Sequence, residues 1–509
     1  MSNAPASPAA PRDPFAWLYA HPLVPLFVLV CAQVLLRLAL SPALDMDEAE
    51  QIVWTQHLAW GYGVQPPLYT WLQWGVNRLL GGQSVLALSL LKHSLLALTY
   101  VLLWHAARLQ GLGARGAWQA AGGVLLFALV CWMAVRDLTH SVLLLTCSAG
   151  LYLALVRLLA RPSPVRFAAL GAALAAGMLA KYNFALIAAA LLGAALLDAT
   201  QRRVLFSRGW PLAPLAAALL VAPHLLWLAA HWGEIAARMG TKMVTGSGSG
   251  WPRLTALGQL ASDLPTAVAL WLAAMLACLG TGWLRGSTHA AGTGARLLVR
   301  YLLLVMLALL AVVLVATPAR LTPRWLEPLL MLLPMTVFLR HPELEQHPRG
   351  HWLTVAICTA ALLGMGMAAA RPAWHLHKGR PDELNTDPLA LAQAALDAGY
   401  DGVQPIVVTR LVPGGNLRLA FPHTPVLQCP RKDCKETLKR LEREGKGWLL
   451  VLDREAERRQ QPPERLAGLR EHQLPPLPSL LGVLLPPSTP GGAGVTHYAV
   501  WLKWQPPSK

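Results

Sequence analysis

Charged side chains are scarce in this sequence. Asp, Glu, Lys and Arg make up 14% of its 509 residues, whereas soluble domains usually carry about a quarter. Apolar runs of roughly 18 to 22 residues, the length that crosses a bilayer, recur up to about residue 370. Runs such as residues 302–316 have no polar stripe, which argues against a large soluble helical protein. The composition predicts a polytopic helical membrane protein.

Cysteines with the spacing of a metal site are also lacking. Five of the seven cysteines stand in apolar runs, where cysteine usually packs as a small hydrophobic side chain. These five are Cys31, Cys131, Cys147, Cys278 and Cys358. Cys429 and Cys434, in the stretch CPRKDC, form the only polar pair, and we predict a disulfide between them if this segment faces an oxidising compartment.

Negative charge is in short supply, which leaves a formal net charge of +17. Such an excess of positive charge can indicate a nucleic-acid-binding protein. Here the basic residues stand in short clusters between apolar runs, which is the pattern of cytoplasmic loops in membrane proteins. We therefore expect membrane lipids as partners and no nucleic acid.

Eleven apolar segments are predicted to span the membrane. The first is expected to be a retained helix, because the run from Leu23 is too long for a cleavable signal and no small-residue cleavage site precedes Asp45. The predicted spans are residues 23–41, 84–107, 118–135, 138–159, 166–181, 183–199, 211–231, 263–284, 298–316, 325–339 and 351–370. They define a transmembrane domain over residues 23–370, preceded by a cytoplasmic N-terminus over residues 1–22.

The distribution of arginine predicts the orientation of these spans. If the N-terminus is cytoplasmic, nearly every arginine cluster falls in a cytoplasmic loop, as the positive-inside rule requires. The outer side then receives the loop of residues 42–82 and everything after residue 370. Residues 47–60 and 67–80 of this first outer loop predict two amphipathic helices, which carry four tryptophans. Because indole rings favour the membrane interface, we expect both helices to lie along the surface.

The last part of the chain, residues 371–509, is rich in proline and charge and predicts a small α/β domain outside the membrane. QPIVVTR, GWLLVLD and HYAVWLKW have the composition of short strands. CKETLKRLEREG predicts a helix that ends at Gly445. The proline-rich stretch of residues 474–492 is predicted to be a loop.

Acidic and basic residues converge on the outer ends of the predicted spans. Charges at the ends of apolar helices are costly unless they pair, bind an ion or meet water, so their convergence predicts a polar site at the outer membrane surface. The acidic members are Asp45, Asp47, Glu48 and Asp137, and the basic members are Lys181, Arg320 and Arg324. The cations would suit a phosphate, and the carboxylates a general base, a metal ion or both.

Five of these residues also have a simpler interpretation. Asp47 and Asp137 could be helix N-caps, and Lys181 could extend its ammonium group from an apolar helix towards water. Arg320 and Arg324 could be exceptions to the charge rule that have no role. These interpretations can explain any one of the residues, but they explain less well why all of them occur together at the outer ends of the spans.

Several stretches resemble glycosyltransferase family 39, the group of protein O-mannosyltransferases and lipid A aminoarabinose transferases. The first outer loop carries the pattern: Asp47-Glu48, Gly61-Tyr62, Gln65-Pro66-Pro67-Leu68 and Trp71-Leu72. VRDLTHSVLLL resembles the second acidic site of the family and places it at Asp137. LAKYN and RLTPRWLEPLLMLLP resemble segments of bacterial members. The similarity covers residues 15 to 340, with Gln65 where many members have lysine.

The resemblance implies an all-α membrane protein of the GT-C fold, with about 11 transmembrane helices and an extracytoplasmic C-terminal domain. It implies an inverting transfer of a hexosyl or pentosyl group from a polyprenyl phosphate to a lipid, glycan or protein acceptor. Such a reaction would take place at the outer, periplasmic face of the inner membrane in a bacterium.

Roles for individual residues follow from the same resemblance. Asp47 would be the general base or the group that orients the acceptor, and Glu48 would support it. Asp137 would hold the acceptor, a cationic partner or a divalent cation such as Mg²⁺ or Mn²⁺, to which Asp47 could also bind. The donor phosphate would contact Lys181, Arg320 and Arg324. The acceptor would lie against a loop that contains Tyr62, Gln65, Pro66, Pro67 and Tyr69.

Other functions fit the sequence less well. A transporter or flippase would predict two related halves and several charges within spans, whereas the halves do not match and Arg37 and Lys92 are among the few such charges. A membrane scaffold would leave the acidic loop without a purpose. Within the enzyme class, a polymerase or ligase of surface polysaccharide is the alternative.

Overall fold

The computed structural model is mostly helical. It describes residues 13–133, 136, 139–233, 235–236, 252–285, 292–316, 323–378, 382–429, 434–453, 481–485 and 498–507. Contacts divide the chain into two compact units. The first contains residues 1–30, 95–131 and 143–364, and the second contains residues 31–94, 132–142 and 365–509.

In the part of the chain that the structure describes, seven helices are long and apolar enough to cross a membrane. They are Leu23–Leu40, Val85–Leu109, Thr139–Ala160, Leu212–Ala230, Arg253–Leu279, Thr293–Val315 and Gly350–His377. Each of the seven overlaps a predicted span, although Arg253–Leu279 begins ten residues before the predicted span of residues 263–284. The polytopic helical class is therefore confirmed.

The four other predicted spans are shorter or broken. Pro164–Ala180 is a single apolar helix of 17 residues. Phe184–Leu196 and Ala199–Leu205 would pass as an eighth span together, but a bend of 114° separates them. The remaining two segments contain the short elements Ala114–Gly122, Gly123–Leu126, Leu129–Met133, Pro323–Leu330 and Leu333–Arg340. By length and composition, seven of the described helices could cross a membrane, or eight if the bent pair is one span.

Proline and glycine explain some of this local structure in the first unit. The helix Leu333–Arg340 has Pro334 in its first turn, where a missing N–H is tolerated, whereas proline disfavours helical geometry in the residue before it. Gly171 packs against the backbone of Ala213, a close approach that only a small residue permits. Other short helices of this unit are Ala16–Ala20, Gly282–Arg285 and Pro342–Gln346.

The second unit contains a five-stranded sheet. Its strands are β1 (Ile406–Val408), β2 (Val426–Gln428), β3 (Trp448–Asp453), β4 (Leu481–Leu485) and β5 (Tyr498–Gln505). The strand order is β2-β1-β3-β5-β4. β1 runs parallel to β2 and β3, whereas β5 is antiparallel to β3 and β4. The helical elements Glu383–Asn385, Pro388–Asp397, Leu411–Ala420 and Cys434–Arg443 complete the predicted α/β region.

One prediction for this region is wrong. The proline-rich stretch of residues 474–492, expected to be a loop, contains β4. The five residues LGVLL lie between prolines and contain none, so every residue of β4 has a backbone N–H that can take part in the ladder with β5. The predicted helix ending is correct, since Gly445 follows Cys434–Arg443 with φ of +69°.

The first outer loop folds onto the sheet within the second unit. Its two helices, which we call the acidic helix (Met46–Trp54) and the loop helix (Leu68–Leu79), match the predicted pair. The acidic helix packs against Leu411–Ala420. Leu44, Ala49, Ile52 and Val53 share one buried cluster with side chains of that helix and of strands β1, β2, β3 and β5. The loop and the C-terminal region therefore form one hydrophobic core.

Candidate active site

Two of the four carboxylates at the start of the acidic helix are buried against arginines. Glu48 receives two hydrogen bonds from Arg37, at 2.8 Å (Nε to Oε1) and 2.6 Å (Nη2 to Oε2). Arg37 also donates to the carbonyl groups of Ser41 (2.7 Å) and Ala43 (2.6 Å). This guanidinium group therefore joins the end of the first span to the start of the acidic helix.

The environment of Glu48 keeps it ionised. Burial by itself would raise the pKa of Glu48, but the Arg37 guanidinium, its hydrogen bonds and the Lys92 ammonium hold the pKa below its usual range. The backbone N–H of Asp45 donates a further hydrogen bond to Oε2 of Glu48 (3.0 Å). Glu48, predicted to support the base, is thus held in place by these partners.

Asp45 is bound in a comparable way from a distant part of the chain. Arg371 donates from Nη1 to both oxygens of Asp45, at 2.9 and 3.2 Å. The same guanidinium lies 2.5 Å from Asp382 and 3.3 Å from Glu383. One arginine therefore connects the acidic helix with the residues that begin the C-terminal region.

Asp47 has a different environment. Its side chain is half-buried, and its Oδ2 accepts a hydrogen bond from the backbone N–H of Thr139 (3.0 Å). Thr139 is the first residue of the helix Thr139–Ala160, and the partial positive charge of a helix N-terminus favours a carboxylate. Asp137, the predicted second acidic residue, lies outside the described residues.

Aromatic and polar side chains surround this position. His140 lies 3.6 Å from Glu50 and 3.4 Å from the amide nitrogen of Gln51. The rings of His140 and Tyr69 are 5.5 Å apart. Burial raises the pKa of the Tyr69 phenol well above its usual value, and the carboxylates of Asp47 and Glu48 raise it further. Tyr69 is therefore a neutral hydrogen-bonding group beside the acidic helix.

The predicted acceptor loop forms a tight turn before the loop helix. Tyr62 donates from its hydroxyl group to the carbonyl of His57 (2.8 Å) and accepts from the N–H of Ala59 (2.8 Å). Gln65 pairs with Tyr62 through the backbone (3.3 Å). Gly63 lies between them with φ of +59°, a conformation that glycine adopts without steric cost.

Prolines mark the beginning of the loop helix. Pro66 and Pro67 are buried, and Pro67 immediately precedes the first helical residue, Leu68. Proline fixes its own φ and restricts the preceding residue, so the pair stiffens the entry to this helix. Tyr69 is held in the first turn that follows.

The predicted phosphate-binding cations belong to the first unit. Lys181 is half-buried and directly follows Pro164–Ala180, where its N–H donates to the carbonyl of Gly177 (3.1 Å). Arg324 lies in the first turn of Pro323–Leu330, and Arg320 lies outside the described residues. Their contact with a donor phosphate stays a prediction.

Two further predictions were a disulfide between Cys429 and Cys434 and a divalent cation at the acidic residues. Cys429 and Cys434 form a disulfide in the structure. Among the described residues, no group of three or more His, Cys, Asp or Glu side chains is arranged to hold a metal ion. Because Asp137 is not among these residues, the divalent cation predicted at Asp47 and Asp137 stays a prediction.

A cleft within the second unit was not predicted from the sequence. Arg37, Arg136 and Arg371 line it together with Asp45, Leu36 and Leu40. Part of the signal was present in the sequence, since Arg37 interrupts an apolar run and charges within spans are often functional. Arg371 gave no such signal, because its partner Asp45 is 326 positions away.

Comparison with known proteins identifies the family. The profile of the dolichyl-phosphate-mannose-protein mannosyltransferase family matches residues 64–227. The lipopolysaccharide core galacturonosyltransferase RgtB of Rhizobium johnstonii is 34% identical over 362 residues, which are 70% of this chain and 72% of the relative. Both findings agree with the resemblance seen in the first outer loop.

Solved structures show the same fold. ArnT from Cupriavidus metallidurans superimposes in its apo state with a TM-score of 0.59, at 13% identity, over 95% of this chain and 98% of ArnT. Its structure bound to undecaprenyl phosphate gives a TM-score of 0.57 over the same shares. The protein therefore has the GT-C fold and belongs to the family of membrane glycosyltransferases that includes RgtB.

Proposed function

We propose that this glycosyltransferase moves a uronic-acid sugar from a polyprenyl phosphate to a glycan acceptor, with Asp47 as the general base. The sugar and acceptor classes are supported by RgtB, a lipopolysaccharide core galacturonosyltransferase. The polyprenyl carrier is supported by the structure of ArnT with undecaprenyl phosphate. The observation that carries the assignment of Asp47 is its half-buried carboxylate, which accepts a hydrogen bond from the N–H of Thr139 and lies beside Tyr69.

The reaction follows from this arrangement. An acceptor hydroxyl group gives its proton to Asp47 as its oxygen attacks the anomeric carbon. The bond from that carbon to the phosphate oxygen breaks, its electron pair leaves with the lipid phosphate, and the configuration inverts. Because a lipid phosphate is a good leaving group, the protein chiefly supplies orientation and charge stabilisation.

The arginine-lined cleft is the candidate site for the lipid phosphate in the second unit. Guanidinium groups suit phosphate oxygens because their donors are arranged as a rigid fork. Arg136 lines the cleft, whereas Arg37 and Arg371 already donate to Glu48 and Asp45. Leu36 and Leu40 belong to the first span and line the same cleft, so an isoprenoid chain would meet apolar side chains there. The predicted contribution of Lys181, Arg320 and Arg324 to phosphate binding is part of this proposal.

The site is proposed to face the periplasm of a bacterial inner membrane. Arginine clusters between the spans favour a cytoplasmic location for the loops on the other side. The Cys429–Cys434 disulfide favours an oxidising compartment for the C-terminal region. The acidic helix packs against that region, so the two share one side of the membrane.

Transfer by the purified full-length protein in lipid nanodiscs tests this function. The donors are undecaprenyl phosphates that carry galacturonic acid, mannose or aminoarabinose, and the acceptor is a lipopolysaccharide core, with products identified by mass. We expect one added uronic-acid residue with the wild type and at least a 100-fold lower rate for Asp47→Asn, because a positioned base typically contributes that much.

A matched control separates the role of Asp47 from a general effect of removing a carboxylate. Asp397 is exposed on the helix Pro388–Asp397 of the same unit, so Asp397→Asn should transfer at the wild-type rate. Transfer of a neutral sugar alone would contradict the proposed donor class. Equal rates for Asp47→Asn and the wild type would remove Asp47 from the mechanism.

A further inference from the structure

Three buried side chains that lie together beside Asp47 carry polar atoms without a hydrogen-bond partner in the described part of the chain, and Oγ1 of the neighbouring Thr139 is a further such atom. The atoms are Oε1 of Gln51, the hydroxyl group of Tyr69 and Nδ1 of His140. Gln51 and Tyr69 are fully buried, and His140 is 4% exposed. Buried polar atoms are nearly always hydrogen-bonded, because an unpaired one destabilises the fold. Three of them in one place therefore indicate a ligand that completes their hydrogen bonds.

The three side chains come from different elements but lie together. Gln51 stands on the acidic helix, Tyr69 on the loop helix and His140 on Thr139–Ala160. The amide nitrogen of Gln51 is 3.4 Å from Nε2 of His140, and the His140 ring is 5.5 Å from that of Tyr69. Their location beside the candidate base follows from the chain, since Thr139, the neighbour of His140, binds Asp47.

The hydrogen-bonding capacity of this group matches that of hydroxyl groups. Oε1 of Gln51 can only accept, whereas the protonated phenol of Tyr69 can donate. Nδ1 of His140 can do either, according to the proton on Nε2, which faces Glu50 and Gln51. A hydroxyl group both donates and accepts, so two neighbouring hydroxyl groups of a sugar would satisfy all three atoms.

We propose that Gln51, Tyr69 and His140 form a subsite that binds two hydroxyl groups of a saccharide next to Asp47. Glu50 is a positioning residue in this subsite, because it lies 3.6 Å from the ring of His140. The ring of Trp54, 6.3 Å from that of His140, provides an apolar wall. The subsite rests on the proposed transfer reaction and adds to it the residues that select the sugar.

The hydroxyl groups could belong to the donor sugar or to the acceptor glycan, and three binding probes distinguish these sources. The first is undecaprenyl phosphate, which has no sugar. The second is a non-transferable phosphonate analogue of undecaprenyl-phosphate galacturonic acid. The third is a lipopolysaccharide core oligosaccharide. Affinity is measured for the full-length protein in nanodiscs, for the wild type and for Tyr69→Phe and Gln51→Leu.

We expect both variants to bind one of the two saccharide probes about tenfold more weakly, since each loses one hydrogen bond to a hydroxyl group. Their affinity for undecaprenyl phosphate should not change. The saccharide probe that loses affinity identifies the source. Wild-type affinity of both variants for both saccharides would overturn the subsite, as would an equal loss for the lipid without sugar.

Unfolding measurements separate this subsite from a purely structural role. Tyr69→Phe removes a hydroxyl group that has no partner in the described part of the protein, so its unfolding temperature should equal or exceed that of the wild type. Tyr400→Phe is the matched control, because the Tyr400 hydroxyl group donates to the carbonyl of Gln404 (2.6 Å). It should lower the unfolding temperature and leave saccharide affinity unchanged.

The outcome for the wild type distinguishes the two proposals. A wild-type protein that transfers the sugar, together with variants that bind saccharides normally, would remove the subsite alone. A wild-type protein that binds neither saccharide probe would contradict the proposed function and the subsite together.

Discussion

At the start of the acidic helix, carboxylates that are close together in the sequence have different surroundings. Glu48 and Asp45 are buried against Arg37 and Arg371, whereas Asp47 is half-buried on a backbone N–H. The family pattern could indicate Asp47, because the pattern consists of residues that are close together in the chain. It could not indicate Arg371, whose contact with Asp45 joins positions 326 residues apart.

The Arg37–Glu48 pair predicts a strong effect of removing one partner. Arg37→Leu leaves the buried carboxylate of Glu48 without its main counter-charge, which costs about 3–5 kcal/mol in comparable buried pairs. The double variant Arg37→Leu/Glu48→Leu should recover most of this loss, because no buried charge remains. Thermal unfolding of the protein in nanodiscs measures both. A double variant as unstable as the single one would contradict this account of the pair.

The lowered pKa of Glu48 predicts a direction for the pH dependence of stability. In the unfolded chain Glu48 has the ordinary pKa of about 4.3, and in the folded protein its pKa is lower. Its contribution is therefore fully present above the unfolded value and is lost as the pH falls through the folded value. The unfolding temperature of the wild type should fall between pH 7 and pH 3 more than that of the Arg37→Leu/Glu48→Leu variant. Identical falls would contradict the prediction.

At the scale of single elements, one glycine determines how closely the acidic helix packs. A Cβ atom on Gly415 would stand 2.8 Å from Cα and Cβ of Ala49 and 3.0 Å from Cδ1 of Leu44. Gly415→Ala should therefore displace the acidic helix, cost about 1–3 kcal/mol of stability and lower transfer. Gly75→Ala is the control, since no atom lies within 4 Å of its Cβ position. It should stabilise the loop helix by about 0.5–1 kcal/mol; equal effects of the two variants would refute the close packing.

The disulfide predicts a local stabilisation of the C-terminal region. It closes a loop of sequence separation 5, for which chain entropy gives about 2 kcal/mol. Cys434→Ser should lower the protection from hydrogen exchange of the helix Cys434–Arg443, which begins at the bridge. The buried cysteine Cys147 provides a control, because Cys147→Ser removes a thiol from a span and should leave this helix protected. Unchanged protection in Cys434→Ser would contradict the role of the bridge.

Helices and strands were predicted most accurately where a single hydrophobic periodicity or a single helix-stop signal dominates the local sequence. The two helices of the first outer loop and the glycine after Cys434–Arg443 follow from such signals. β4 was missed because a short apolar run between prolines is a strand only when a partner strand is available, and β5 provides it from residues more than ten positions further on. The broken spans were missed because hydropathy measures apolar length and is insensitive to bends.

For the whole molecule, the proposed orientation predicts opposite reactivity on the two sides of the membrane. Glu444 is exposed after the helix Cys434–Arg443, and Arg203 is exposed on the helix Ala199–Leu205. In intact spheroplasts, a membrane-impermeant maleimide should label Glu444→Cys and not Arg203→Cys, and permeabilisation should make both reactive. Labelling of Arg203→Cys but not of Glu444→Cys in intact spheroplasts would indicate the opposite orientation.

The sequence was sufficient for the class of the whole molecule and for its family. Long apolar runs and the Gln-Pro-Pro loop are properties of neighbouring residues, and the relatives confirm the membrane glycosyltransferase that they predict. The division of the chain into two compact units could not be predicted from the sequence. The first outer loop and the C-terminal region share a core, because the packing of Ala49 against Gly415 joins segments that are far apart in the sequence.

The central claim is that Asp47 removes the proton from the acceptor during sugar transfer. A single-turnover measurement tests it most directly, with undecaprenyl-phosphate galacturonic acid bound in advance to the wild type and to Asp47→Asn in nanodiscs. The account predicts similar donor affinity for both proteins and a transfer rate at least 100-fold lower in the variant. Transfer at the wild-type rate by Asp47→Asn, with the donor bound, would contradict the claim.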